Sequence, residues 1–327
     1  MDPIFTEWKR QVDPAIESAL DYLACSQKED GSFPSNFGDS TGIPALVGMA
    51  FLSKGHLPTD PTYGATINRC LDFILANQKP DGVLHKGHAG SGPMYAHNIA
   101  TLFLSEASGQ VDPLRQERID DVLPRALKLI LEAQAVKKDE NNRGGWRYHP
   151  NSRDSDTSCS GWALMALRSA KLNGAAVPDE SILAALNYLK RHQNKDSGSF
   201  GYTDTTRNGK TLTGMGLLCL ELCGEHNSAE SFKAAQFVMS TFRTLPGTQH
   251  EFYGNYYNAQ GMFQLGGRYW SEYAEWMYET YLQKQAGDGS WDSRDAGPIY
   301  GTAIMTLAFT VPYRQLPIYQ RDETVDE

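Results

Sequence analysis

Asp154 and Asp156 stand two residues apart in the run Asp154-Ser155-Asp156-Thr157-Ser158-Cys159, directly ahead of an apolar stretch that opens Ser160-Gly161-Trp162. Two neighbouring carboxyl groups in a low-dielectric pocket retain a proton that either would lose in water. A carboxylic acid held neutral in this way is what protonation of an alkene requires. The cation formed then needs π faces around it. Tyr95, Trp146, Tyr148, Trp162, Tyr256, Tyr257 and Tyr300 could supply them, or could simply pack. The same aspartates also suit a humbler task, since Asp ahead of Thr-Ser at a helix start contributes about 1 kcal/mol as a cap. His97 and Asn98 occupy another such helix start, where they could meet a substrate or satisfy a helix terminus.

The elements that must hold these residues repeat along the chain. Ala19-Leu20-Asp21-Tyr22-Leu23 leads to Gln27 and then Gly31-Ser32-Phe33. The same order recurs at Gln78 with Gly82, at Gln134 with Gly144-Gly145-Trp146, at Gln193 with Gly198-Ser199-Phe200, and at Gln285 with Gly289-Ser290-Trp291. The interval from Gln193 to Gln285 is about two repeats long, and Phe232 to Met239 fills it as a degenerate copy. Each copy has a second half that carries no Asp, Glu, Lys or Arg: Thr41–Leu52, Met94–Leu104, Thr157–Leu167, Leu212–Leu220, Tyr256–Leu265 and Ile299–Phe309. A helix apolar all round must be buried all round, whereas the first halves mix apolar and charged residues at helical spacing and need one wet face. Six hairpins of this kind make two concentric layers. An open solenoid would need polar-faced caps at its ends, and the end copies are as apolar as the middle ones. The expectation is all-α: an (α/α)6 toroid in one domain over residues 1–327. Its repeats run over about 15–55, 64–109, 117–173, 179–224, 227–267 and 270–312, and a Pro-broken tail, 313–327, wraps across the barrel.

The loops entering the inner helices should line one mouth of the ring. Gly87-His88-Ala89-Gly90-Ser91-Gly92 is one of them, and its backbone N–H groups could hold a diphosphate, with Lys86, Arg143, Arg147, Arg207 and Lys210 adding charge from equivalent loops. No Asp-Asp-x-x-Asp run for magnesium-assisted ionisation is present, since Asp120-Asp121 lacks the third carboxylate.

Over residues of about 15 to 312 the pattern of aromatic-aliphatic helix, Gln and Gly-x-aromatic resembles the QW repeat of squalene-hopene and oxidosqualene cyclases. The toroid of protein prenyltransferase β subunits is similar. The resemblance implies that Gln27, Gln78, Gln134, Gln193 and Gln285 tie successive turns together. Asp154-Ser155-Asp156-Thr157 looks like the Asp-x-Asp-Asp or Asp-x-Asp-Thr motif of class II terpene cyclases, whose middle Asp starts a carbocation cascade. Aligned from the left, that acid is Asp156 with Asp154 beside it; aligned on the Asp-Thr pair, the acid position holds Ser155. Triterpene cyclases of this kind have two such barrels, and this chain has room for one. His97, Asp156 and Cys159 are similar in type, though not in spacing or order, to the zinc set of the prenyltransferases.

The leading expectation is therefore a class II terpene cyclase-like enzyme that binds a hydrophobic isoprenoid, with Asp156 as acid, Asp154 as its partner and no cofactor or metal. A non-catalytic toroid that only binds, and a zinc-dependent prenyltransferase-like protein, are the alternatives. The formal charge of −9 argues against nucleic acid as a partner, which needs a basic footprint. The polar start Met1–Arg10 and five cysteines without a CxxC pair point to the cytoplasm. A greasy substrate would make peripheral membrane contact useful. The uncharged stretch Ala296–Tyr313 holds Pro298 and Pro312 and is read as a buried helix rather than a span.

Overall fold

The computed structural model describes residues 3–87 and 92–320. Twelve α-helices are present among them: α1 (Pro3–Ser26), α2 (Gly42–Lys54), α3 (Gly64–Ala76), α4 (Met94–Ala107), α5 (Pro113–Ala135), α6 (Thr157–Leu172), α7 (Asp179–Arg191), α8 (Gly209–Leu222), α9 (Ala229–Thr241), α10 (Glu251–Leu265), α11 (Gly267–Leu282) and α12 (Gly297–Phe309). Odd-numbered helices are the outer partners. On α7, for instance, Ile182, Ala185, Leu186, Tyr188 and Leu189 form one buried face. Even-numbered helices are buried almost throughout, as their lack of charge requires. They pack in the order α2, α4, α6, α8, α10, α12, and α12 packs back onto α2, so the inner layer is a closed ring. The outer layer closes where α1 packs on α11 and α12. The fold is an α/α toroid.

The repeated glutamines explain how neighbouring outer helices stay together. Each donates its side-chain amide to a backbone carbonyl of the next outer helix: Gln27 to Thr66 (3.1 Å), Gln78 to Val122 (2.9 Å), Gln134 to Ser181 (2.9 Å) and Gln193 to Glu230 (2.9 Å). Gln285 reaches Ala15 in α1 (2.8 Å) and so ties the last repeat to the first. The glycine four residues or more downstream has two reasons to be glycine. Gly31, Gly82, Gly144, Gly198 and Gly289 all have φ between +79° and +90°, and a Cβ on any of them would lie within 3 Å of a carbonyl oxygen of the next outer helix. At the α9–α11 joint, where the degenerate repeat has no glutamine, Phe242 makes edge-to-face contacts with Tyr273 (5.6 Å) and Trp276 (4.8 Å).

Two elements differ from the sequence expectation. The first helix begins at Pro3, well before residue 15, and runs through Pro14 because Phe5 and Val12 continue its buried face. The inner helix expected over Met94–Leu104 runs on to Ala107 and takes in Glu106, which is fully buried. Among the described residues no helix is long and apolar enough to cross a membrane.

Glu106 marks the far end of the ring, where the inner helices finish. The tail enters there: Leu316, Ile318 and Tyr319 are buried, the N–H of Ile318 donates to Glu106 Oε2 (3.3 Å), and the hydroxyl of Tyr319 donates to the carbonyl of Leu307 (3.4 Å). Ser169 Oγ bonds the other carboxyl oxygen of Glu106. Burial without a cation pushes the Glu106 carboxyl up to about 7 from its ordinary 4.5. The folded protein thus holds a proton over a range in which the unfolded chain has lost it. That contribution is complete below about pH 4.5 and is lost as pH rises through about 7. Glu106→Gln is expected to remove a fall in stability of about 3 kcal/mol between those limits. Urea denaturation of both proteins at pH 5 and pH 8 checks this; equal pH dependence in the two would refute it.

Candidate active site

All six inner helices start at the same face of the ring, and their entry loops surround a cavity of about 860 Å³. Its floor is apolar, made by Ile43, Leu46, Ile99, Trp162 and Leu212. Its walls carry Phe37, Tyr95, Tyr148, Tyr202, Tyr253 and Tyr300. One side is polar, with Asn36, Gln249, His250, Ser293 and Asp295. Among the described lining residues there is no Lys or Arg, and Asp295 is the one carboxylate.

Asp156 lies one side chain behind this wall. It is the N-cap of α6, with extended backbone geometry, and its Oδ1 accepts the N–H of Cys159 (2.8 Å). The carboxyl is fully buried and Oδ2 has no hydrogen-bond partner. The guanidinium of Arg147 approaches Oδ2 to 3.7 Å while lying over the rings of Tyr148 (4.6 Å) and Tyr202 (5.4 Å). The two tyrosine hydroxyls are in contact with each other, and Tyr95 packs on Tyr148 at 5.7 Å. Burial pushes Asp156 up to about 7, and it outweighs the N–H of Cys159 and the charge of Arg147, which pull the other way. Capping is therefore real, but it uses one oxygen only. The other is a buried acid, half-protonated near neutrality, behind an aromatic wall.

Asp154 has no share in that pocket. Its side chain is 61% exposed, Arg147 sits 3.6 Å away, and its charge is the smallest of the influences on Asp156. Desolvation is the main cause that holds the proton on Asp156, and the charge of Asp154 adds to it only slightly.

Tyr95, Tyr148, Trp162 and Tyr300 line the cavity. His97, Asn98, Trp146, Tyr256 and Tyr257 do not, and each has a structural reason. His97 Nδ1 accepts the N–H of Leu84 (3.0 Å) and its Nε2 donates to the carbonyl of Ala126 (3.1 Å). Ser160 and Thr302 serve other repeats in the same way, accepting the N–H of Trp146 and of Trp291 (both 2.9 Å). His97 is thus a repeat tie, and burial pushes it down to about 4, so it stays neutral. Asn98 donates to the carbonyl of Cys159 (3.4 Å) and bridges α4 to α6. Trp146 is buried with its indole N–H on the carbonyl of Ile130 (2.7 Å). Tyr256 and Tyr257 lie behind Trp162, at ring distances of 6.1 and 5.5 Å.

The zinc alternative is also corrected. Among the described residues no three His, Cys, Asp or Glu side chains converge in a way that could hold a metal, because both ring nitrogens of His97 are engaged elsewhere. The expected diphosphate loop falls on residues 88–91, which lie outside the described residues. Of the cations assigned to it, Lys86 pairs with Asp30 (3.5 Å), Arg143 with Glu140 (3.4 Å) and Arg207 with Asp204 (3.6 Å).

Sequence reasoning passed over Tyr202, Tyr253, His250 and Asp295. The signal for the last two was available: they precede α10 and α12 as Asp156 precedes α6.

No protein-family model matches the chain. Solved structures do resemble it. The GH76A alpha-1,6-mannanase of Salegentibacter sp. HEL1_6 superposes with a TM-score of 0.65 at 12% identity, over 91% of this chain and 98% of that one. Cellobiose 2-epimerase from Bacillus thermoamylovorans gives 0.64 at 11%, over 95% and 99%. The type II terpene cyclase MstE from Scytonema gives 0.59 at 14%, over 94% and 100%. At such identities the likeness extends to the toroid and no further.

Proposed function

We propose that the chain is a single-ring, class II terpene cyclase-like enzyme that binds an uncharged isoprenoid in the mouth cavity and starts its cyclisation with the proton of Asp156. The observation that carries this reading is the buried Asp156 carboxyl, half-satisfied and raised to about 7, directly behind the aromatic wall of the cavity. Contact between the acid and substrate would require Arg147, which lies between Oδ2 and the rings of Tyr148 and Tyr202, to move with those rings. The proton would pass to an alkene carbon, and the π pair would form the new C–H bond. The tyrosine and tryptophan faces would then stabilise the cation by about 1–2 kcal/mol each when desolvated.

The absence of Lys and Arg among the described lining residues favours a substrate without a diphosphate. MstE supports the reading in two ways. It has the length of one ring, and its complex is described as holding geranylgeranyl dihydroxybenzoate as substrate. A glycosidase reading is weaker here, since two facing carboxylates are needed and Asp295 alone lines the cavity among the described residues.

The test is product analysis by gas chromatography and mass spectrometry. Purified protein is incubated with squalene, with geranylgeraniol, and with farnesyl and geranylgeranyl diphosphates. A cyclised product from a neutral substrate is the expected result. No turnover of any of them would move the reading to a binding protein, and turnover of the diphosphates alone would overturn the uncharged-substrate assignment.

A further inference from the structure

We infer that His250, held by Asp295, is the base that removes the last proton from the substrate cation; this rests on the acid-initiated reading above. In the closed order α2, α4, α6, α8, α10, α12, the helix α12 stands three places from α6 in either direction. Asp295, just before α12, therefore faces Asp156, the cap of α6, across the ring, and His250 caps α10 beside it. Asp295 Oδ2 accepts the backbone N–H of His250 at 2.6 Å and lies 3.4 Å from the ring nitrogen Nδ1. Nδ1 is thereby turned to the carboxylate, and Nε2 is the nitrogen left to accept a proton. Both residues line the cavity. His85, the other histidine among the described lining residues, bonds the carbonyl of Gly87 through Nε2 (2.9 Å); its Nδ1 has no hydrogen-bond partner, but no carboxylate lies against the ring to oppose an imidazolium.

The backbone at His250 is held by the same contact. His250 has φ +59°, a left-handed conformation that non-glycine residues seldom adopt, although Asn, Asp and His are enriched in it and Asn208 ahead of α8 shares it (φ +61°). Such conformations persist where the surroundings hold them, and they gather at functional sites. Here the constraint is the bond to Asp295.

The chemistry balances. Asp156 gives its proton to the alkene at the start and is left as a carboxylate beside Arg147. At the end a C–H bond next to the cationic carbon breaks, its electron pair forms the new double bond, and the proton goes to Nε2 of His250. The imidazolium is opposed by Asp295. With its side chain 51% exposed, His250 returns the proton to water through the mouth, and Asp156 is reprotonated from water. The net reaction is an isomerisation and needs no oxidant, reductant or co-reactant.

The experiment compares wild type, His250→Asn and Asp295→Asn on whichever of squalene or geranylgeraniol is turned over, with far-ultraviolet circular dichroism as a check of folding. Asn is chosen at 250 because it tolerates the left-handed backbone. Wild type is expected to release a cyclic alkene. His250→Asn is expected to lower alkene formation about 10²-fold, with water-quenched alcohol taking its place. Asp295→Asn, whose amide oxygen can still accept the N–H of His250, is expected to shift the alkene-to-alcohol ratio in the same direction by a smaller factor. An unchanged alkene yield in a folded His250→Asn protein overturns the assignment, and so does an alcohol as the wild-type product. Failure of wild type to turn over any isoprenoid is a different result, which removes the acid-initiated reading itself. Should His250→Asn not fold, the ratio in Asp295→Asn decides.

Discussion

Asp156→Asn should abolish cyclised product, by at least about 10²-fold and toward 10⁴-fold, in a protein that folds as well as wild type. Asn has the shape of Asp and retains the oxygen that accepts the N–H of Cys159, so the cap of α6 survives. What it cannot do is give up a proton. The substitution therefore separates the two roles that the sequence left side by side, cap and acid. Asp156→Ala serves as the companion: it should lose the product too, and about 1 kcal/mol of stability with the cap. Denaturation midpoints and product yields of the two variants are the measurements. An Asn variant that turns over like wild type would leave Asp156 as a cap and nothing more.

The largest effect on stability is expected from one added methyl group at the seam where the ring closes. Gly289 has φ +90°, and a Cβ there would meet the carbonyl oxygen of Ser18 in α1 at 2.3 Å. Gly289→Ala adds the left-handed penalty of about 1–2 kcal/mol to a clash with main chain that cannot turn aside. To relieve it α1 must withdraw, and the bond from Gln285 to Ala15 (2.8 Å) goes with it, for about 1 kcal/mol more. A loss of about 3–5 kcal/mol in urea denaturation is expected. Gly287→Ala, two residues away with nothing within 4 Å of its added carbon, should change stability by less than about 0.5 kcal/mol. Equal midpoints for the two variants would refute the account of the seam.

The toroid was legible because it is written in a short-range code. The glutamine, the glycine and the aromatic residue each act through backbone contacts that recur from repeat to repeat, and an uncharged helix announces its own burial. Asp156 was legible for the same reason, as the residue ahead of an inner helix. The register of a helix was harder to read. His97 and Trp146 share the mouth region in sequence, yet the turn of the chain points them at the neighbouring outer helix, where they satisfy Leu84, Ala126 and Ile130. Asp154 looked like a partner to Asp156 because it is two residues away, but the chain bends at Asp154 before the extended cap, which leaves the Asp154 side chain in water and the Asp156 side chain in the core. His250 and Asp295 are 45 residues apart and meet only because α10 and α12 are neighbours in a closed ring. No local pattern carries that meeting.

The tail seated against Glu106, Leu307 and Ser169 has a consequence for traffic. Among the described residues, Leu316, Ile318 and Tyr319 stop the end at which the inner helices finish and leave the mouth as the open end. On the proposed reading, reactant would arrive and product depart by the same route, past Phe37 and His250 at the rim. A cyclised hydrocarbon is more compact than its linear parent but no more soluble, so it would leave slowly and block the next arrival. Throughput in such a dead end is governed by how the doorway is emptied, and an acceptor for the product, placed outside the rim, would set the pace of the whole cycle.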